Sequence, residues 1–426
     1  MIKVLVFPCG SEIGLEIHAA LKFNKAVKLF GVSSVPDHGE YVYANYRQID
    51  AQVESVDFIE QLNVLIDEWG IDIVLPAHDS VILALAERRA ELATLAAVPD
   101  VEIARLCRNK NATYAFFADS DFMPRTIAGP VDGIYPIFAK PAVGQGSQGA
   151  EQITERSRHE QLLKSGVEYV FSEYLPGIEC TVDCISDQSG VLLNESPRVR
   201  ERIKSGISVA TRPIAADARI RDIASRIAES LRLPGAWFFQ LKKDAKGDWR
   251  LLEIAPRIAG SMALSRNRGV NYALLTLYAY LGLPFEVLVQ DFPIRLDRAL
   301  ANRFRVEHDY DSVYLDLDDT LIVEGRVHPT LAALIYQWQA QRVRIVLVTR
   351  HARCPKQTLR DYRLAESLFA DIMHIQDGSP KSQVIAGNRR AIFIDDSWRE
   401  RLDVRRRCGI PVFDIDTVEQ LLDARN

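Results

Sequence analysis

Three short β-rich runs, KVLVF (3–7), KLFGVSS (28–34) and IDIVLPAHD (71–79), are separated by helix-like stretches, one ending near Phe23 and one spanning Val56–Trp69. Strands that alternate with helices line up as a parallel sheet, with ligand loops gathered at the strand C-terminal ends. CGSEIG (9–14) occupies the first such loop. Its two glycines fit a plain strand-to-helix turn at least as well as a phosphate cradle. From about Arg105 to Arg305 longer, irregular β-rich pieces and glycine loops take over. The alternation restarts at DSVYLDLDD (311–319) and continues through a helix around Leu331–Gln341, then VRIVLVT (343–349), AIFIDD (391–396) and PVFDI (411–415). This is a second, doubly wound α/β domain, and the charged RFRVEHDYD (303–311) is its boundary.

At 426 residues the chain exceeds one domain of roughly 100–200 residues. A 48% hydrophobic, 26% charged composition with net charge −5 is that of an ordinary globular protein, with no pull toward nucleic acid or a membrane surface. Cys9, Cys107, Cys180, Cys184, Cys354 and Cys408 are scattered without metal-ligand spacing, as expected of reduced thiols in a cytoplasmic protein. MIKVLVFPCG is too short for a signal-peptide core, and no run approaches the ~20 apolar residues of a membrane span.

Three stretches of the middle region carry chemistry. FAKPAVGQGSQGAEQI (138–153) brings Lys140 to a loop containing Gly144, Gly146, Ser147 and Gly149, a combination able to approach phosphate oxygens closely. VFSEYLPGIECTVDC (170–184) sets Glu173 and Glu179 on either side of a Pro-Gly turn. In FFQLKKDAKGDWRLLEIAPRIAGS (238–261), two strands joined at Asp244–Asp248 bring Gln240 opposite Glu253, hard oxygen ligands suited to Mg²⁺, with Arg257 four residues on. A basic run, PRVRERIKSG (197–206), offers Arg198, Arg200, Arg202 and Lys204 either to an anion or to solvent.

In order and content, NKNATYAFF (109–117), FAKPAVGQGSQG, SEYLPGIE and LLEIAPRIAGS resemble the ATP-grasp superfamily, in the branch similar to carbamoyl-phosphate synthase and amino-acid ligases. The resemblance implies a Rossmann-like pre-ATP-grasp domain (1–104) and an α+β clamp (105–305). It implies ATP and Mg²⁺ as cofactors. Lys110 and Lys140 would contact phosphates, with Gly146 and Ser147 in the loop above them. Glu173, the Leu175 backbone and Glu179 would hold adenine and ribose. Gln240 and Glu253 would bind Mg²⁺, and Arg257 would steady the reacting phosphate. One position departs from the family pattern Glu-x-Asn-x-Arg: Ala255 stands where the asparagine is expected, which removes a ligand for a second Mg²⁺.

YLDLDDTLIVEG (314–325) crowds Asp316, Asp318 and Asp319 at a strand end, where they need a cation or a proton to coexist. Asp316 and Asp318 would share one side if the strand continued. Thr349 ends the next strand, Lys381 follows GSP, and Asp395 and Asp396 end a third strand. This set resembles the haloacid-dehalogenase (HAD) superfamily over about 309–426. By that resemblance Asp316 is a nucleophile forming an aspartyl-phosphate and Asp318 the general acid/base. Thr349 and Lys381 hold the phosphoryl group, and Asp395 and Asp396 join Asp316 and Asp318 at Mg²⁺. The short gaps between these motifs imply a capless domain.

The combined expectation is a bifunctional biosynthetic enzyme. An ATP-driven ligase would join a small carboxylate to an amine, and a phosphatase would act on a phosphorylated metabolite. No nucleic-acid or membrane partner is expected, and a homodimer is left open. The alternative keeps the phosphatase and makes the ATP-grasp half a nucleotide-binding regulator. A non-catalytic assembly subunit fits poorly with clustered carboxylates.

Overall fold

In the computed structural model, which describes every residue except Gln145, Ser147, Ser205, Ala386, Gly387, Asn388 and Asn426, the N-terminal alternation folds as a five-stranded parallel sheet. Its strands are β1 (Ile2–Phe7), β2 (Val27–Ser33), β3 (Tyr46–Gln48), β4 (Ile73–Pro76) and β5 (Leu95–Ala96), in the order β3-β2-β1-β4-β5. Val4, Leu5 and Val6 are fully buried, which is why the first strand reads as an unbroken apolar run rather than an alternating one. The order reverses at β1, so a crevice opens beside the C-terminal ends of β1 and β4. The helices are punctuated locally. Ser11 caps Glu12–Leu21 by accepting the Gly14 N–H at 3.0 Å, and Gly70, at φ +61°, ends Phe58–Trp69 in the left-handed conformation.

The irregular middle region forms two antiparallel sheets. β6 (Ile137–Pro141), β7 (Glu151–Ile153) and β8 (Tyr169–Glu173) pair as β7-β6-β8. The larger sheet takes β9 (Glu179–Ser186), β10 (Leu192–Lys204), β11 (Ile207–Pro213), β12 (Gly235–Lys243), β13 (Trp249–Ala255) and β14 (Leu296–Asp297) in the order β13-β12-β9-β10-β11-β14. One face of β9, carrying Cys180, Val182 and Cys184, packs on the helix Ala218–Leu231. That helix buries Ile220, Ile223, Ala224, Ile227 and Leu231, an i, i+3, i+4, i+7 stripe, each Ile or Leu contributing about 1.5–3 kcal/mol. On the strand's other face Asp183 is fully buried and receives two hydrogen bonds from Arg198, at 2.8 and 3.0 Å.

These sheets belong to one unit, Met1–Leu300, and the second unit is Ala301–Asn426. The break lies just before the charged segment 303–311. In the second unit, β15 (Ser312–Leu315) is followed by a hairpin of β16 (Ile322–Val323) and β17 (Arg326–Val327). A parallel sheet is completed by β18 (Arg344–Thr349), β19 (Asp371–His374), β20 (Ala391–Ile394) and β21 (Val412–Phe413), in the order β19-β18-β15-β20-β21. Val313, Leu315, Leu347, Ile392 and Ile394 close a core with Trp338, again buried on both sheet faces. Between Thr320 and Thr349 only the hairpin and the helix Pro329–Ala340 intervene among the described residues. No helix of the described residues is long and apolar enough to cross a membrane.

Candidate functional site

Two clusters of polar side chains sit at strand ends, one in each unit. In the first unit a cleft between the two antiparallel sheets is lined by Lys110, Lys140, Glu173, Leu175, Glu179, Gly146, Gln240 and Glu253. Its empty space is about 880 Å³, a figure that includes the open mouth. Gln240 and Glu253 are register partners across β12 and β13, as the hairpin predicts, and both line the cleft. The Lys110 Nζ lies 4.0 Å from the Glu253 carboxylate and donates to the Gly144 carbonyl at 3.3 Å. Ser147 lies outside the described residues, so its expected place in the loop is not assigned.

Lys140 is the most constrained of these groups. Its Nζ donates to the Tyr114 hydroxyl at 2.7 Å and to the Leu252 carbonyl at 2.8 Å. Burial disfavours its charge, Lys110 adds to the effect, and Glu253 and Glu179 oppose it, leaving its pKa lowered to about 7. A polyphosphate bound beside it would favour the ammonium form, so binding at about pH 8 takes up a proton. The sign follows directly: affinity falls as pH rises through the free lysine's value. Calorimetric titration of ATP in two buffers of different ionisation enthalpy is expected to show this uptake, reduced in Lys140→Met. Equal apparent enthalpies in the two buffers would contradict it.

The basic run 197–206 divides. Arg198 is spent on Asp183 inside the sheet, and Arg202 pairs with Asp297 at the surface. Arg200 alone of the three arginines lines the cleft, paired with Glu179 and donating to Gln240 Oε1 at 3.3 Å and to the Gly206 carbonyl at 2.6 Å. Gly206 touches Gly146 so closely that an added Cβ would meet its carbonyl oxygen at 2.0 Å, so the β10–β11 turn abuts the glycine loop. Glu179, which lines the cleft, is therefore held by an arginine from the neighbouring strand. Glu173 accepts the backbone N–H of Arg125 at 2.8 Å.

Arg257 does not line this cleft. It occupies an adjoining cavity that shares Lys110, Gly144, Gly146 and Glu253 with it, and makes a two-point pair with Asp79 at 2.5 and 3.0 Å. Asp79 begins the helix after β4, at the crevice of the parallel sheet. The Arg257 guanidinium holds the half-buried carboxyl of Asp79 below its ordinary range, outweighing the opposite effect of burial. Ala255 lines the same cavity and offers no oxygen ligand. The CGSEIG loop is a turn, because its anion is internal. The Asp37 carboxylate accepts from the N–H groups of Gly10 at 3.1 Å and Gly39 at 2.8 Å.

In the second unit Asp316, Asp395 and Asp396 bring carboxylate oxygens within 4.8 Å of one another. The Lys381 Nζ bridges Asp316 at 2.5 Å and Asp395 at 2.7 Å. Thr320 Oγ1 lies 3.3 Å from Asp316 Oδ2 and 3.1 Å from Asp396 Oδ1. Burial raises the Asp316 pKa to about 7, with Lys381 opposing and Asp395 reinforcing the rise. With all three acids ionised the cluster carries two negative charges beyond Lys381. Three hard oxygens with that excess fit one divalent cation.

Among the described residues, the side-chain carboxylate cluster does not include Asp318. The strand ends at Leu315, and Asp319 turns the chain with φ +54°, so the two-residue periodicity does not continue. Asp318 instead meets His351, whose Nδ1 lies 2.8 and 2.9 Å from its two oxygens. Thr349 is fully buried and its Oγ1 accepts the His351 backbone N–H at 3.1 Å. Tyr114, Asp79, Arg200 and His351 are the site groups that sequence reasoning did not assign. Arg200, Tyr114 and Asp79 stand in stretches already noted, PRVRERIKSG, NKNATYAFF and IDIVLPAHD, whereas His351 stands in none of them.

Residues 166–297 match a family model described as ATP-grasp in the biosynthetic pathway with Ter operon. Similar solved structures include the biotin carboxylase domain dimer of the Hydrogenobacter thermophilus 2-oxoglutarate carboxylase, in complex with MgADP, ADP and bicarbonate. It is 14% identical, with 67% of this chain and 71% of that one covered and a TM-score of 0.56. A biotin carboxylase from Campylobacter jejuni in complex with β,γ-ATP is 16% identical over 67% of this chain and 73% of that one, at a TM-score of 0.54. The N5-carboxyaminoimidazole synthetase of Staphylococcus aureus complexed with ADP is 14% identical over 68% and 79%, at 0.56. At these identities the likeness is one of fold, a mixed α/β arrangement shared with ATP-grasp proteins.

Proposed function

We propose that the chain is a bifunctional biosynthetic enzyme, with an ATP- and Mg²⁺-dependent carboxylate–amine ligase in residues 1–104 and 105–305 and a HAD-type phosphatase in 309–426. The observation that carries the ligase reading is the convergence of Lys110, Lys140 and the Gln240–Glu253 pair on one cleft, inside a fold shared with nucleotide-bound proteins. Gln240 and Glu253 fit Mg²⁺ as two protein oxygens, leaving other positions to phosphates and water. In both sites Mg²⁺, when bound, would neutralise charge on phosphate oxygens.

In the ligase a substrate carboxylate oxygen attacks the γ-phosphorus and ADP leaves. The amine nitrogen then attacks the acyl phosphate carbon, the carbon–oxygen bond to phosphate breaks, a proton passes from nitrogen to solvent, and an amide bond remains. Lys110 and Lys140 hold the phosphates, while Arg257 in the adjoining cavity offers a cation to the reacting group. In the phosphatase an Asp316 oxygen attacks phosphorus and the ester P–O bond breaks, with a proton from Asp318 going to the departing oxygen. Water deprotonated by Asp318 then attacks the aspartyl-phosphate, regenerating Asp316 and releasing phosphate. Asp395 and Asp396 join Asp316 as the metal-holding set, and Lys381 and Thr349 serve the phosphoryl group. Small-molecule acids, amines and a phosphate ester are the substrates, and the cytoplasm is the proposed location.

A second reading, supported by Ala255 and by the Asp79–Arg257 pair, makes the ATP-grasp half a nucleotide-binding regulator of the phosphatase. One experiment separates the two. ADP and phosphate release are followed together while acids and amines are supplied in pairs with ATP and Mg²⁺. ADP formation that depends on one such pair is expected. Aryl phosphatase activity without ADP formation from any pair would favour the regulator.

A further inference from the structure

A proton donor for a leaving group must present its acidic oxygen in a fixed direction, yet Asp318 sits on a turn with its side chain half exposed. His351 is what holds it. The ring is 9% exposed and fastened at both ends, with Nδ1 on both Asp318 oxygens and Nε2 2.7 Å from the Thr358 hydroxyl. Thr358 is itself buried, in the helix Pro355–Asp361. The backbone of His351 is pinned as well, since its N–H donates to Thr349 Oγ1 at 3.1 Å and its carbonyl lies 2.7 Å from His374 Nε2. A carboxyl oxygen without a proton can only accept, so the ring donates from Nδ1 to one Asp318 oxygen while the other is left to carry the transferred proton, and in the neutral tautomer Nε2 accepts from Thr358.

We propose that His351 is a positioning residue that aims the Asp318 carboxyl at the leaving-group oxygen, with Thr358 orienting the His351 ring. The proposal rests on the phosphatase reading above. In the step concerned, the Asp316–phosphorus bond forms as the phosphorus–ester bond breaks, and the Asp318 proton passes to the ester oxygen. A good leaving group departs with little need of that proton, whereas an alkoxide needs it. Loss of aim therefore penalises alkyl esters selectively, a signature that general loosening of the fold does not produce. Steady-state turnover mixes in the later attack of water, so kcat/KM, which reports formation of the aspartyl-phosphate, is the quantity to compare.

The test measures kcat/KM of the full chain on p-nitrophenyl phosphate and on an alkyl phosphate such as glycerol phosphate. His351→Ala is expected to lower the alkyl value about 10–100-fold more than the nitrophenyl value. His351→Asn, which keeps a donor beside Asp318, is expected to recover most of that difference. Thr358→Val should show the same selectivity at smaller size, and it serves if His351→Ala does not fold. Equal losses on both esters, or no loss, would overturn the positioning role. A wild-type chain inactive on both esters, or activity unaffected by Asp316→Asn, would overturn the phosphatase reading itself.

Discussion

Asp316→Asn is expected to lower Mg²⁺-dependent hydrolysis of an aryl phosphate by more than about 10⁴-fold, because an amide oxygen cannot form the covalent phosphoryl intermediate. The substitution is isosteric and leaves Lys381 its 2.7 Å contact with Asp395. It also removes the carboxyl whose pKa burial, reinforced by the neighbouring Asp395, raises to about 7. The fold should therefore tolerate it, with a melting temperature within about 4 °C of the wild type. Rate constants from purified protein in the presence and absence of Mg²⁺ check the assignment. Residual activity within tenfold of the wild type would rule Asp316 out as nucleophile.

Glu253→Ala carries the second large effect, a fall of about 10³-fold or more in ADP formation with an acid–amine pair. Glu253 faces Gln240 across the hairpin and lies 4.0 Å from Lys110, so its loss removes half of the protein's oxygen pair and frees a lysine to occupy the space. The same variant should keep its aryl phosphatase rate within about twofold, since Asp316 and its partners belong to the other compact unit. Together the two variants separate the activities: one abolishes phosphate-ester hydrolysis, the other ADP release. A Glu253→Ala protein that still makes ADP at the wild-type rate would remove this residue from the metal site.

The Glu179 and Asp318 positions show where reasoning along the chain loses its grip. Each acid stands against a protein partner that local patterning does not supply. Glu179 is gripped by Arg200 from the next strand of the sheet. Asp318 leaves the carboxylate cluster because Asp319 takes a positive φ and the strand ends three residues before Asp318. A local rule such as strand periodicity holds only while the element lasts. Arg198 illustrates the same limit, since a basic run reads alike whether its members face a ligand or a buried aspartate.

The amino-acid order alone determined the parallel sheets and the hairpin that pairs Gln240 with Glu253. It also determined the gathering of Asp316, Lys381 and Asp395 at one sheet edge. These follow from periodicity, turn residues and the rule that loops collect at strand ends, all of which act over a few residues or within one motif. Tertiary structure alone decided that Asp79 holds Arg257, separated by 178 residues, that Tyr114 and a backbone carbonyl hold Lys140, and that His351 holds Asp318. Such pairings depend on how sheets and helices pack, because a buried charge takes whichever partner the packing brings within hydrogen-bond reach.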